Sequence, residues 1–252
     1  MDISGLVITF NEAKNIERCV KTLFKVCDEV IIIDSFSTDK TVEIAKKYGA
    51  KVYLQKYLGD GLQRRYGLQF CNHDWILNPD ADEFLDEDAL EFIKSNSFET
   101  AIYDGYEFRR INFLGDEKID FSGWYPDYAC RFFNKQTALP STALIHQKIE
   151  GKHIKKVNVH FIHLAWSNLH QIIAKKNQYT DWQVEDLIKA KKRANSFTPL
   201  IHGVVSFFRC YFLKKGVFNG LDGLTFAMIQ AFFSYIKYAK LLKQQRLKKN
   251  KA

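Results

Sequence analysis

The sequence predicts an α/β fold, a mostly parallel central sheet with flanking helices, followed by a helical C-terminal extension. Three observations lead there. Short apolar runs alternate with helical patterns through the first half of the chain, as strands joined by crossover helices do. One of those runs, EVIIID (29–34), is continuously apolar, as a strand buried on both faces is. Past Ala165, long segments carry apolar residues at helical spacing among many Lys and Arg.

The elements follow in order. ISGLVITF (3–10) is a strand ending at Asn11 and Glu12, and AKNIERCVKTLFKV is a helix with Ile16, Val20, Leu23 and Phe24 on one face. EVIIID (29–34) is the second strand. Ser37 or Thr38 is expected to cap the next helix, Asp39 and Glu43 favour its positive end, and Gly49 closes it. KVYL (51–54) is a third strand, GLQRRYGLQF a third helix and DWIL (74–77) a fourth strand. Ligands of such sheets bind beyond the carboxyl ends of strands. Asn11, Asp34 and Asp80 therefore converge on one edge. No G-x-G-x-x-G follows the first strand, which removes a dinucleotide site.

WILNPDADEFL (75–85) sets Asp80 and Asp82 directly after a buried strand. If that segment is extended, residues two apart face the same way and address one ligand. Carboxylate oxygens suit Mg²⁺ or Mn²⁺, which take one or two protein carboxylates together with substrate phosphates. The alternative is a solvated acidic turn that caps a helix beginning near Asp86.

The 252 residues hold 37 Lys and Arg against 29 Asp and Glu, and the excess is concentrated at the C-terminal end, KYAKLLKQQRLKKNKA. A basic, aromatic-rich end suits an anionic membrane surface better than nucleic acid. Five cysteines without a C-x-x-C pair argue against a disulfide framework or a zinc site. No secretory signal and no spanning apolar stretch are visible, so a cytoplasmic protein, peripheral on the inner face of the cytoplasmic membrane, is expected.

VITFNEAKNI, VIIIDSFSTDKTVEIAKKYGAKVY and WILNPDADEFL, in this order and spacing, resemble the nucleotide-binding half of family 2 glycosyltransferases of the GT-A fold. SGWYPDYACRFF, HFIHLAWSNLHQIIAKKNQYT and FFRCYFLKKGVFNGLDGLTFAM are similar to bacterial lipopolysaccharide-core β-1,4-glucosyltransferases acting on the inner-core heptose. The resemblance implies inverting transfer of a hexose from a UDP-sugar, most simply UDP-glucose, to a lipid-linked saccharide. It implies that Thr9, Phe10, Asn11 and Glu12 line a uridine pocket and that Asp34 accepts from uracil. Gln63 and Arg64 would lie near the donor, Asp80 at the ribose and Asp82 on the metal. For Gln63 and Arg64, a solvated helix face is the alternative. The expected domains are a GT-A domain over 1–165 and a helical extension over 166–252.

An inverting transfer needs a carboxylate to take the acceptor proton. Many members of the resembled subfamily carry His-Glu where this chain reads His146-Gln147, and an amide is no base. Asp127 and Glu150 are the remaining candidates, with Asp127 alternatively orienting the acceptor or capping a turn. His146 could complete the metal shell or be an ordinary packed residue. His163 matches a position of the resembled family near the acceptor end, but His153, His160 and His163 show no metal spacing and read as structural. Trp124 and Tyr125 would stack on the acceptor sugar or belong to the core. Phe207, Phe208, Tyr211 and Phe212 beside Arg209, Lys214 and Lys215 suit an interfacial helix, and the helix over 224–242 repeats that pattern. Packing on the catalytic domain or on a second copy is the alternative. A transferase for another bacterial glycan and a sugar-nucleotide-binding protein with weakened catalysis remain as other readings.

Overall fold

A computed structural model of the chain describes residues 2–96, 98, 102–121, 124–142 and 148–249. It divides into two compact units, Met1–Asn112 with Pro126–Ala165, and Phe113–Tyr125 with Trp166–Ala252.

In the first unit, β1 (Ile3–Thr9), β2 (Glu29–Asp34), β3 (Lys51–Leu54) and β4 (Trp75–Leu77) run parallel in the order β3-β2-β1-β4. Successive residues of a strand face opposite sides, and both sides are covered. Val7 and Ile32 join the core that holds Ile16, Val20 and Leu23 of α1 (Ile16–Leu23). Leu6, Ile31 and Ile33 join the one that holds Leu68 of α3 (Asp60–Leu68). β1 and β2 carry no polar alternation because neither face meets water, whereas β3, at the end of the sheet, leaves Lys51 and Leu54 exposed.

The approach of α3 is close. A Cβ built on Gly67 would lie 2.5 Å from Leu6 Cδ1 and 2.9 Å from Ile33 Cγ1. Gly67→Ala should cost about 1–3 kcal/mol by overpacking, read as a lower urea midpoint. An unchanged midpoint would show that α3 can lift away without loss.

The helix α2 (Thr41–Lys47) starts later than the sequence suggests. Ser37 and Thr38 do not cap it. Ser37 donates its N–H and hydroxyl to Asp34, and Thr38 donates its N–H to Asn11 Oδ1. The buried Asp34 carboxylate needs donors, and this loop supplies them.

Beyond β4 come β5 (Glu83–Leu85), α4 (Glu87–Lys94), β6 (Gly105–Leu114), β7 (Glu117–Ile119), β8 (Asp127–Asn134), β9 (Leu139–Pro140), β10 (Ile149–Glu150) and β11 (Ile154–Trp166). The sheet continues β4-β8-β6-β11-β5, with β8 antiparallel to β4 and β6, and β11 antiparallel to β5. β9 and β10 form a separate two-stranded sheet. Asp86 caps α4 through Oδ1, which accepts from the Ala89 N–H at 2.9 Å.

The second unit holds α5 (Leu169–Lys189), α6 (Thr198–Phe208) and α7 (Gly220–Lys249). A π-helical turn (Arg209–Leu213) and a 3₁₀ turn (Gly216–Asn219) join the last two. Its small core gathers Ile119, Ile172 and Phe226. α6 and α7 touch where Gly203 leaves room, since a Cβ there would stand 3.3 Å from Tyr235 Cβ. Lys240 of α7 donates to Thr180 Oγ1 at 2.8 Å and to Asp181 Oδ1 at 2.7 Å on α5. Among the described residues no helix is long and apolar enough to cross a membrane.

Candidate active site

β1 and β2 pair with Thr9 opposite Asp34, so their carboxyl ends stand side by side. Asp34 is wholly buried; Oδ2 accepts from Thr9 Oγ1 at 2.8 Å and Ser37 Oγ at 2.6 Å, and Oδ1 from the Ser37 N–H at 2.8 Å. Three of about four acceptor positions on the carboxylate are thus filled. Asn11 and Phe36, one beyond each strand, have φ of 56° and 62°. For a bulky ring like that of Phe36 this backbone is an outlier, and such outliers cluster at ligand sites. The rings of Phe10 and Phe36 are more than half exposed there, just past the buried Thr9 and Asp34. Glu12 donates its N–H to Thr41 Oγ1 at 2.8 Å and accepts from Asn15 Nδ2 at 2.8 Å.

Asp80 and Asp82 lie in a turn, not in the extended segment the sequence suggests. The Asp80 carbonyl accepts from the Glu83 N–H at 3.0 Å, and Glu83 Oε2 accepts from the Asp80 N–H at 3.0 Å. The turn sends the two aspartates to different partners. Asp80 pairs with the guanidiniums of Arg64 and Arg131. Arg131 also donates to Glu83, 2.7 Å from Nε to Oε2 and 2.8 Å from Nη2 to Oε1. Arg110 continues the chain, 3.2 Å from Glu83 Oε1 and 2.9 Å from Asp127 Oδ2.

Burial pushes both carboxyls of this network up, but the adjacent guanidiniums outweigh it. Arg131 and then Arg64 hold Asp80 well below the usual carboxylate range. Arg131 brings Glu83 down to about 2. Burial opposes the charge of Arg131 too, and Asp80 and Glu83 raise it further above its ordinary value. Asp80, Glu83 and Arg131 stay charged at neutral pH.

Asp82 faces a residue the sequence marked as structural. Its Oδ2 lies 3.6 Å from His163 Nε2, and both side chains are largely buried. His163 Nδ1 sits 2.6 Å from Asn112 Oδ1, while Asn112 Nδ2 donates to Asp127 Oδ2 at 3.2 Å. The amide orientation is thereby set, and an amide oxygen only accepts. Nδ1 must carry the proton, which leaves Nε2 of the neutral ring with its lone pair towards Asp82. A histidine fixed through one nitrogen and open at the other is the form that binds metals. Burial lowers the affinity of His163 for a second proton, but Asp82 reverses this and its pKa is raised. Asp82 Oδ2 and His163 Nε2 form an ion pair when the ring is protonated, and when it is neutral the same carboxylate and imidazole suit a divalent cation such as Mn²⁺. Asp86, Asp88 and His160 also place ligand atoms within 4.8 Å of one another, at the other end of β5. There Asp86 Oδ1 is already engaged in capping α4.

Gln63 and Arg64 are buried, not on a solvated helix face. Gln63 Nε2 donates to Ser35 Oγ at 3.2 Å and Gln55 O at 3.1 Å, and Arg64 holds Asp80 and the Asn78 carbonyl. Of the two candidate bases, Asp127 is joined to the network through Arg110 and Asn112. Glu150 lies exposed on β10 of the separate sheet. Trp124, in the second unit, packs edge-on against Trp166 at 4.6 Å and against Phe226 at 5.9 Å, and Lys118 lies over the Tyr125 ring. His146 and Gln147 lie outside the described residues.

A model of glycosyl transferase family 2 matches residues 4–93, which carry β1 through α4 and the whole acidic turn. A glycosyltransferase of Rickettsia bellii is 34% identical over 95% of this chain and 85% of its own length. The chain belongs to the family 2 glycosyltransferases. A second relative is the lipopolysaccharide core biosynthesis glycosyltransferase LpsC of Rhizobium meliloti. It is 24% identical over 98% of this chain and 94% of that protein. The mannosyltransferase PcManGT of Pyrobaculum calidifontis, solved with GDP-Man and Mn²⁺, matches in structure with a TM-score of 0.58. The match spans 95% of this chain and 86% of that one at 13% identity, a likeness of fold alone. The fold is that of the GT-A glycosyltransferases, with a helical C-terminal part.

The family match ends before Arg110, Asn112, Arg131 and His163, the residues that complete the site. Two had a signal in the sequence. Arg110 in EFRRINF and Arg131 in CRFFN sit inside strand-like runs, where a buried charge must find a partner. His163 had only its match to a family position near the acceptor end, and Phe36 had none, because a cross-strand contact and a backbone dihedral leave no mark in local spacing.

Proposed function

We propose that this glycosyltransferase moves a hexose, most simply glucose from UDP-glucose, with inversion onto a lipid-linked saccharide of the lipopolysaccharide inner core. The pairing of Asp82, in the turn that follows β4, with His163 of β11 carries the reading. The resemblance of the later motifs and the LpsC relative support the acceptor class.

Thr9, Phe10, Asn11 and Glu12 border the uridine, with Phe10 and Phe36 offering faces to the base. Asp34 rigidifies that loop and keeps one acceptor position on Oδ1 for a uracil N–H. Asp80, oriented by Arg64 and Arg131, meets the ribose. Gln63 and Arg64 act from behind, since protein groups already occupy them. Asp82 and His163 would hold Mg²⁺ or Mn²⁺, and His146 is a further candidate. When bound, the cation supplies Lewis-acid stabilisation of the departing diphosphate. The acceptor hydroxyl oxygen bonds to the sugar C1 as the C1–phosphate oxygen bond breaks, and its proton passes to Asp127. Trp124 packs on Trp166 and Phe226 within the second unit, so an acceptor role for Trp124 and Tyr125 rests on the sequence motif alone.

Asp127→Asn should lower kcat by about 10²–10⁴ while UDP affinity holds, and Glu150→Gln should leave kcat near the wild-type value. Equal loss of turnover and UDP affinity in Asp127→Asn would reduce Asp127 to a structural role. A panel of UDP-sugars tests the donor: preference for galactose or an N-acetylhexosamine would move the protein to another bacterial glycan. Gln147, where a glutamate is common in the resembled subfamily, favours a second reading as a sugar-nucleotide-binding protein with weakened catalysis. That reading expects UDP binding without turnover, restored by Gln147→Glu.

A further inference from the structure

We propose that the turn between α6 and α7 seats the protein on an anionic lipid bilayer. Leu213 and Phe218 are each 80% exposed and Leu221 77%, with Phe212 half exposed beside them. Exposed apolar side chains scattered singly are ordinary, but a contiguous group marks an interaction surface. These four fall within ten residues, and the chain presents them deliberately. Gly216 and Gly223 are buried, and a Cβ on Gly223 would stand 1.9 Å from the Gly216 carbonyl oxygen. Lys215 adopts a left-handed backbone, φ 59°, just before the 3₁₀ turn. The backbone is pinned inward while the large apolar side chains point out.

Charge selects the occupant. Lys214 and Lys215 are exposed between Leu213 and Phe218. In the last fifty residues Asp222 is the single acid against ten Lys and Arg. A second copy meeting this patch symmetrically would bring lysine onto lysine, since a two-fold contact uses the same surface twice. A bilayer answers both features: acyl chains receive the leucines and phenylalanines, and anionic headgroups receive the ammonium groups. The inference does not rest on the donor or acceptor assignment, although it would place a lipid-linked acceptor on the same surface as the enzyme.

Flotation of the full chain with vesicles tests it. Wild type should bind phosphatidylcholine vesicles containing phosphatidylglycerol, less so as salt rises, and bind vesicles of phosphatidylcholine alone much more weakly. Leu213→Ser with Phe218→Ser, and separately Lys214→Glu with Lys215→Glu, should each weaken anionic-vesicle binding by about tenfold or more. Thermal melts within a few degrees of wild type would show that both variants fold. Undiminished vesicle binding by either folded variant would overturn the proposal. So would a wild-type dimer in light scattering that the apolar pair of substitutions converts to monomer, because the patch would then belong to a second copy.

Discussion

Asp82→Ala is expected to abolish cation-dependent binding of UDP-glucose and to lower sugar transfer by about a thousandfold or more. A Lewis-acid contact to a departing diphosphate contributes several kcal/mol, and about 4 kcal/mol corresponds to that factor in rate. The substitution removes the one carboxylate that faces His163 Nε2, while the Asp80–Arg131–Glu83 network that holds the turn remains. The loss should therefore be functional and leave the melting temperature close to wild type. Isothermal titration of UDP with and without Mn²⁺ separates the effects. Asn112→Leu tests the supporting geometry without touching a ligand. Freed from the amide oxygen, His163 can present either nitrogen, and cation affinity should drop by about 10–100-fold. Wild-type turnover by Asp82→Ala in the presence of EDTA would sink the cation assignment and the reading of the sheet edge with it.

The sequence disclosed the scaffold more readily than the site. EVIIID is a strand with the bounds its apolar run suggests, because burial on both faces leaves an unbroken hydrophobic signal; KVYL also has its suggested bounds, although Lys51 and Leu54 are exposed. Helix starts were harder. Ser37 and Thr38 look like caps, but the pull of a buried Asp34 and of Asn11 draws them into the loop before the helix. A one-dimensional pattern does not show which of two acceptors a hydroxyl will choose. The acidic turn is legible in the sequence as chemistry but not as geometry. Its aspartates diverge because Glu83 folds back onto the Asp80 N–H. His163 was passed over for want of a local spacing, and its partner lies across the β5–β11 pairing, where His163 sits opposite Glu83. Long-range pairings of this kind decide active sites, and single sequences carry them weakly.

Arg131→Met should destabilise the first unit by about 3–5 kcal/mol, because Asp80 and Glu83 lose their shared cation and keep only Arg64 and Arg110. For a chain of this size that is a fall in melting temperature of roughly 6–20 °C. Arg131→Lys should recover only part of it, since one ammonium cannot reproduce the fork that spans Asp80 and Glu83. The pH dependence identifies the cause. Glu83 is lowered from an ordinary 4.5 to about 2, and Asp80 is lowered as well. Groups with depressed values stabilise the fold above their unfolded pKa and lose that contribution as pH falls through the folded one. Wild type should therefore lose stability steeply between about pH 4.5 and 2. In Arg131→Met the carboxyls are already less acidic, so acidification costs less, and the gap between the two proteins should narrow as pH drops. Denaturant midpoints collected from pH 7 to 3 measure that gap. A difference that stays constant across the series would mean that Arg131 contributes packing and no charge, and the electrostatic account of the acidic turn would fail.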